Sequence, residues 1–295
     1  MKIIKSFTIV IGFVISLSQQ LSCTSNPLGD SEIATASRKI SGEVKVNTNE
    51  NPEDVFIWFE GFNLNTRPDK QGNFQFILPS PAAQSSNGGI TGIFNLYFYI
   101  ANFNLVIKPI ILLDGVISNS KEEINENGEF TQEILLTENL KISTEIRPKI
   151  VEKDSGVISI SATVILQTFK DTTDVFFPTR VGTLSAPVFL ENSKTGEISI
   201  IQTKVLDKTV TDSLRVSTTA ELRELEIELN LSEIPPGKYE VIPYLIVINP
   251  LVPQGLLDSI GTNVQNLGPN YLKIPFKRRD GQFEIVEKKI EERDK

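Results

Sequence analysis

The chain has 295 residues, with 29 Lys and Arg against 37 Asp and Glu, one Cys, one Met, one Trp and no His. Without histidine it has no Ser-His-Asp or Cys-His nucleophile, no imidazole base and no His-ligated metal. A single cysteine rules out an internal disulfide, a CxxC pair or a four-cysteine centre. The net charge of −8 repels phosphate backbones and argues against general nucleic-acid binding.

At the amino end Lys2 and Lys5 precede an uncharged apolar run from Phe7 to Leu17, followed by Ser18, Gln19, Gln20, Leu21, Ser22 and Cys23. This is the layout of a secretory signal peptide. The run is 11 residues long, and a spanning helix needs roughly 20. Leu21-Ser22-Cys23 resembles the lipobox of bacterial lipoproteins, with the small residue at the cut site and Gln20 where that family usually has Leu. The resemblance implies cleavage between Ser22 and Cys23, a diacylglycerol on the Cys23 thiol and acylation of the new amino group. Two or three acyl chains, at about 0.8 kcal/mol per buried CH2, hold a protein on a bilayer where one short chain is marginal.

Cleavage removes Lys2 and Lys5 and leaves 27 basic against 37 acidic side chains, a balance of −10. An acidic body is repelled by an anionic leaflet. The Ser-, Thr-, Asn- and Gly-rich stretch 23–38 reads as the tether that lifts it clear. Thr24 in place of Asp after the cysteine resembles lipoproteins bound for the outer membrane.

From Lys39 onward the chain is written in Ile, Val, Thr and Phe with frequent Pro, Gly and Asn, a strand-and-turn vocabulary. Ile40, Gly42, Val44 and Val46 alternate, and 55–59 is apolar on both faces, so that strand has to be covered twice. Asp69-Lys70-Gln71-Gly72 predicts a turn into a strand with Phe74, Phe76 and Leu78 on one face. Ile40-Ser41-Gly42-Glu43-Val44, Pro52-Glu53-Asp54-Val55 with Ile57, Thr66, and Asp69 to Phe74 with Phe76 and Leu78-Pro79 together resemble the carboxypeptidase-regulatory-like module. That module is a small transthyretin-like β-sandwich, and the likeness implies a binding or spacer unit without catalytic residues.

Further strands are predicted over 94–101, 105–113, 130–136, 140–146, 156–169, 186–190, 198–206 and 225–231, with Arg147-Pro148-Lys149 as the domain boundary. In the last of these strands Leu225, Ile227, Leu229 and Leu231 alternate with acidic or polar residues, while Leu222, Leu225 and Leu229 also fit a helical period. Pro235-Pro236-Gly237 leading into Tyr239 resembles a late-strand entry of immunoglobulin-like sandwiches, where the tyrosine hydroxyl ties the corner; an ordinary hairpin turn fits equally. Leu256, Leu257, Ile260 and Val264 predict a short helix within 253–265 that caps the second sandwich.

Three Gly-Phe turn motifs recur at 69–74, 125–130 and 279–283, each read as a hairpin. The middle one offers Glu123, Asn125, Asn127 and Gly128 at calcium-loop spacing, but Ile134 stands where a bidentate Glu belongs. Gly88-Gly89-Ile90-Thr91-Gly92 reads as a flexible loop, and Lys277-Arg278-Arg279 is too short for a nucleic-acid patch. Phe56, Trp58, Phe59 and Phe62 with Tyr97, Phe98 and Tyr99 offer a stacking platform for sugar or protein; the reading favours core packing, with Trp58 and Tyr97 as the candidate ligand contacts.

The expectation is an all-β chain of two consecutive β-sandwiches, transthyretin-like then immunoglobulin-like. Its divisions are a signal peptide at 1–22, a tether at 23–38, sandwiches at 39–148 and 149–285, and a charged tail at 286–295. It is expected to be a lipid-anchored, non-catalytic binding or scaffolding protein of the cell envelope, at the outer membrane, meeting the bilayer through Cys23 and an envelope protein or glycan elsewhere. No metal, cofactor or nucleic acid is expected. A carbohydrate-binding or carbohydrate-active surface protein and a host-facing adhesin remain the other two classes.

Overall fold

The computed structural model describes residues 38–48, 51–86, 88–153, 156–207 and 211–288. Cys23, Ser22, the signal peptide, nearly all of the tether and the end of the charged tail lie outside the described residues. Among the described residues no helix is long and apolar enough to cross a membrane.

The first sandwich contains β1 (Lys39–Val46), β2 (Phe56–Phe59), β3 (Leu64–Thr66), β4 (Asn73–Ile77), the one-turn helix α1 (Pro81–Gln84), β5 (Gly92–Tyr99), β6 (Val106–Leu113), β7 (Val116–Ile117) and β8 (Ile134–Leu136). One sheet runs β4-β1-β8, with β8 parallel to β1, and the other runs β3-β2-β5-β6-β7. Alternation decides which side chains meet between them. Ile40 and Val44 face Ile57 and Phe59, with Phe74, Phe76, Leu96 and Phe98 closing the core.

Both leading turn motifs here are built alike. Asp69 Oδ1 accepts the backbone N–H groups of Gln71 and Asn73, and Asn125 Oδ1 accepts those of Asn127 and Glu129. Gly72 and Gly128 sit in the same turns at positive φ of 92° and 76°. The Gly88–Gly92 stretch, read from sequence as a flexible loop, is pinned: Gln84 Oε1 accepts from Ile90 N, while Gln84 Nε2 donates to the carbonyls of Pro79 and Gly115.

The second sandwich begins with β9 (Leu140–Arg147), β10 (Ile150–Glu152), β11 (Val157–Thr168) and β12 (Thr173–Phe176), then the small hairpin β13 (Arg180–Val181) and β14 (Leu184–Ser185). Next come β15 (Val188–Asn192), β16 (Ile198–Ile201), β17 (Lys204–Val205), β18 (Ser213–Val216) and β19 (Glu221–Asn230). The described residues close with β20 (Gly237–Pro243), β21 (Ile246–Val247), helix α2 (Gln254–Ile260), a 3-10 turn (Pro269–Lys273) and β22 (Gly281–Val286). Sheets β17-β19-β11-β9 and β10-β22-β20-β15-β16 enclose the core, with β18-β12-β21 alongside.

Two of the sequence's ambiguities resolve here. Strict alternation wins in β19, where Leu225, Ile227 and Leu229 are buried and Leu222 is exposed. At the corner before β20 the Tyr239 hydroxyl donates to the Pro235 carbonyl at 2.7 Å, the tie that immunoglobulin-like sandwiches use.

Two readings need correction. The sequence predicts a first sandwich that runs to 148, yet β9 pairs with β11 from Leu140 to Arg147 and puts Leu140, Ile142 and Ile146 into the second core. The junction therefore lies at 137–139. Arg147-Pro148-Lys149 is where the chain crosses between two sheets of one sandwich, since β10 pairs in parallel with β22. The third Gly-Phe motif is no hairpin. Gly281 lies within β22 opposite Val241, and a Cβ there would come within 2.6 Å of Ile146 Cγ1. That glycine serves close approach between the sheets.

Gly72 combines left-handed backbone with a site where a Cβ would sit 2.2 Å from the Val44 carbonyl oxygen. Gly72→Ala should therefore lower unfolding free energy by about 3 kcal/mol, read from urea midpoints, as expected for a strained substitution against immovable backbone.

Candidate functional site: the seam between the sandwiches

In β2 the side chains of Ile57 and Phe59 enter the first core, so Phe56 and Trp58 point out of the sandwich. Their neighbours on β5, Tyr99 and Tyr97, do the same by register. This outer aromatic face is covered by the second sandwich. Phe56, Trp58, Tyr97 and Tyr99 form a third core with Phe189, Ile242, Tyr244, Leu256, Leu257 and Tyr271, to which Val264 and Ile274 also belong.

Trp58 and Tyr97, the sequence's candidate ligand contacts, are 7% and 8% exposed. Their rings pack together at 5.4 Å, and a Cβ on Gly255 of α2 would come within 3.1 Å of the indole. Both polar handles are used: Trp58 Nε1 donates to Asn63 Oδ1 at 2.9 Å, and the Tyr97 hydroxyl donates to Glu60 Oε2 at 3.0 Å. Burial, then that carboxylate, push the Tyr97 phenol up. Neither ring offers an open stacking face, and α2 lies between the sandwiches as well as on the second. Tyr271 anchors the far side. Stacked on Phe189 at 5.3 Å, it donates its hydroxyl to the Leu245 carbonyl at 2.7 Å and accepts from Leu245 N at 3.2 Å.

Polar groups fix the register of this contact. Asn102, 1% exposed, donates through Nδ2 to the carbonyls of Leu140 and Lys277 and accepts through Oδ1 from Lys277 N. The segment 275–280 runs along the seam, with Ala101 N donating to the Pro275 carbonyl on one side and Arg279 N to the Ile142 carbonyl on the other. Lys277 Nζ reaches the Asp54 carboxylate at 2.6 Å and the Asn51 carbonyl at 2.8 Å. The basic triplet is thus partly a clasp. Sequence reasoning missed Asn102, since a lone asparagine between apolar residues carries no periodic signal.

Arg278 and Asp280 form an ion pair at 3.0 Å, with Arg278 over the Phe276 ring at 4.9 Å and its Nη1 3.4 Å from the Tyr271 hydroxyl. Burial raises the Asp280 carboxyl above the ordinary Asp range against the opposing pull of Arg278, and Glu240 and Glu191 push the same way as burial. A cleft of about 540 Å³ opens here. Its walls carry Asp54, Asn65 and Arg67 from the first sandwich and Lys273, Arg278 and Asp280 from the second. Among the described residues no group of three or more Cys, Asp or Glu is placed to hold a metal.

No family model and no curated protein sequence matches the chain. Among solved structures it is similar to the Corynebacterium diphtheriae major pilin SpaA, described as pointing to a modular pilus assembly with stabilizing isopeptide bonds. The match has 8% identity and a TM-score of 0.28, over 83% of this chain and 68% of the pilin. At that score the likeness carries no argument about topology or role.

Trp58→Ala should lower stability by about 3–5 kcal/mol and split the calorimetric unfolding of the two sandwiches into separate transitions, because it empties the centre of their contact. Asp280 holds its proton to higher pH in the folded chain than in the unfolded one. Stability should therefore fall as pH rises from the ordinary Asp range through the raised folded value, and Asp280→Asn should remove that slope from urea midpoints measured against pH.

Proposed function

We infer that the chain is an exported lipoprotein, fastened to the bacterial cell envelope by acyl groups on Cys23, that acts as a rigid non-catalytic binding or scaffolding body. The anchor reading is supported by the signal layout, by Leu21-Ser22-Cys23 and by the hydrophilic tether after it. The resemblance of the leading strands to the carboxypeptidase-regulatory-like module supports a binding or spacer role for the first sandwich. Thr24 after the cysteine favours the outer membrane.

The observation that carries the scaffolding reading is the third core. Paired domains move relative to one another unless their interface is large and apolar. Here the interface is aromatic and clasped by Asn102 and Lys277, so a tether at one end would position a single body.

Cys23→Ser should leave the chain unlipidated and reduce its share in the membrane fraction by about tenfold or more, since no acyl chain then opposes its solubility. Intact-mass spectrometry of the wild-type amino end should show a diacylated cysteine. An unmodified thiol, a start elsewhere, or full membrane partition of Cys23→Ser would each sink the reading.

A further inference from the structure

We propose that the seam cleft is a binding site for an acidic sugar, a uronate, held by its carboxylate between Arg67 and Lys273 and by its hydroxyls on Asp54 and Asp280. This rests on reading the chain as a binding protein and is independent of the lipid anchor.

The charges lining the cleft are unequally committed. Asp54 is paired with Lys277 and Asp280 with Arg278. Arg67 donates through Nη1 only to the Asp54 main-chain carbonyl, at 3.0 Å, and its guanidinium lies 5.8 Å from the Phe56 ring centre. The exposed Lys273 ammonium makes no hydrogen bond or ion pair among the described residues. Two exposed cations without carboxylate partners among the described residues therefore line one cleft, one from each sandwich, in a chain whose acidic groups outnumber its basic ones. Such a pocket concentrates anions, and a guanidinium with free N–H groups suits a carboxylate.

The remaining chemistry selects the rest of the ligand. A carboxylate bonded to one cation keeps acceptor sites open, so Asp54 and Asp280 can take hydroxyl protons, and Asn65 offers both donor and acceptor. An anionic handle with several hydroxyls describes a sugar acid. The volume of about 540 Å³ and the place between two domains match small-ligand sites. Inorganic phosphate would meet the cations but is too small to reach both carboxylates and Asn65 as well, whereas a ring with several hydroxyls spans them, which separates the two chemistries.

The test is isothermal calorimetry on the full chain in detergent micelles, with D-glucuronate, D-glucose and inorganic phosphate as separate titrants. Glucuronate should bind, glucose and phosphate should bind at least about tenfold more weakly, and Arg67→Ala and Lys273→Ala should each weaken glucuronate by about tenfold. Lys273→Arg should retain binding, and because both side chains are exposed the melting temperatures should stay at the wild-type value. Absence of glucuronate binding, equal affinity for glucose or for phosphate, or affinity untouched by both alanine variants would overturn the proposal. Cys23→Ser should leave glucuronate affinity unchanged, so the anchor and the cleft fail or stand separately.

Discussion

Strand β2 has no side for water: Ile57 and Phe59 fill one core while Phe56 and Trp58 need another. An aromatic side chain buries ~200 Å² and each Å² is worth about 25 cal/mol, so leaving this face bare costs several kcal/mol per ring. The first sandwich can supply only one cover, because its other sheet already lies against the inner face. The second cover has to come from elsewhere in the chain. The elements after β9 satisfy that need, among them a helix short enough to lie flat on the sheet and a glycine at the point where it crosses the indole.

An apolar contact alone is non-directional, and two sandwiches held only by grease slide. Direction comes from groups that must be satisfied wherever water is excluded. Asn102 is the best case. Its amide meets the start of β9 and the seam segment at once, so a shift of either sandwich leaves a buried donor without an acceptor. Tyr271 plays the matching role on the far side, its hydroxyl closing on Leu245 from within an aromatic stack. The junction at 137–139 has no length to spare, and the seam segment returns the chain to the same place from the opposite end.

Period-two alternation made the strands readable from the residues, because the rule that sorts side chains to two faces is local. It separated strand from helix in β19 and flagged 55–59 as needing two covers. The paired turns at Asp69 and Asn125 were legible for the same reason, since a side chain capping its own loop acts over four residues. The failures share the opposite property. Gly281 looks like a turn glycine until Ile146, far away in sequence, arrives against it, and Arg147-Pro148-Lys149 looks like a linker until β11 and β22 claim the strands on either side. Nor could spacing tell that Trp58 and Tyr97 were destined for a partner within the same chain.

The seam also explains why charge accumulates where it does. A contact with a dry aromatic centre needs a polar rim, and ionic groups supply it: Asp54 of the first sandwich clasps Lys277 of the second, while Asp280 pairs with Arg278 within the seam segment. Each pair removes one carboxylate from the set of partners for neighbouring cations. Arg67 and Lys273 stand beside carboxylates already taken, so their positive field is cancelled less than the overall acidity of the chain suggests. Closing the two sandwiches on each other thereby creates a local cationic cleft in an anionic protein. The same residues that fix the fold set the sign of what can enter there.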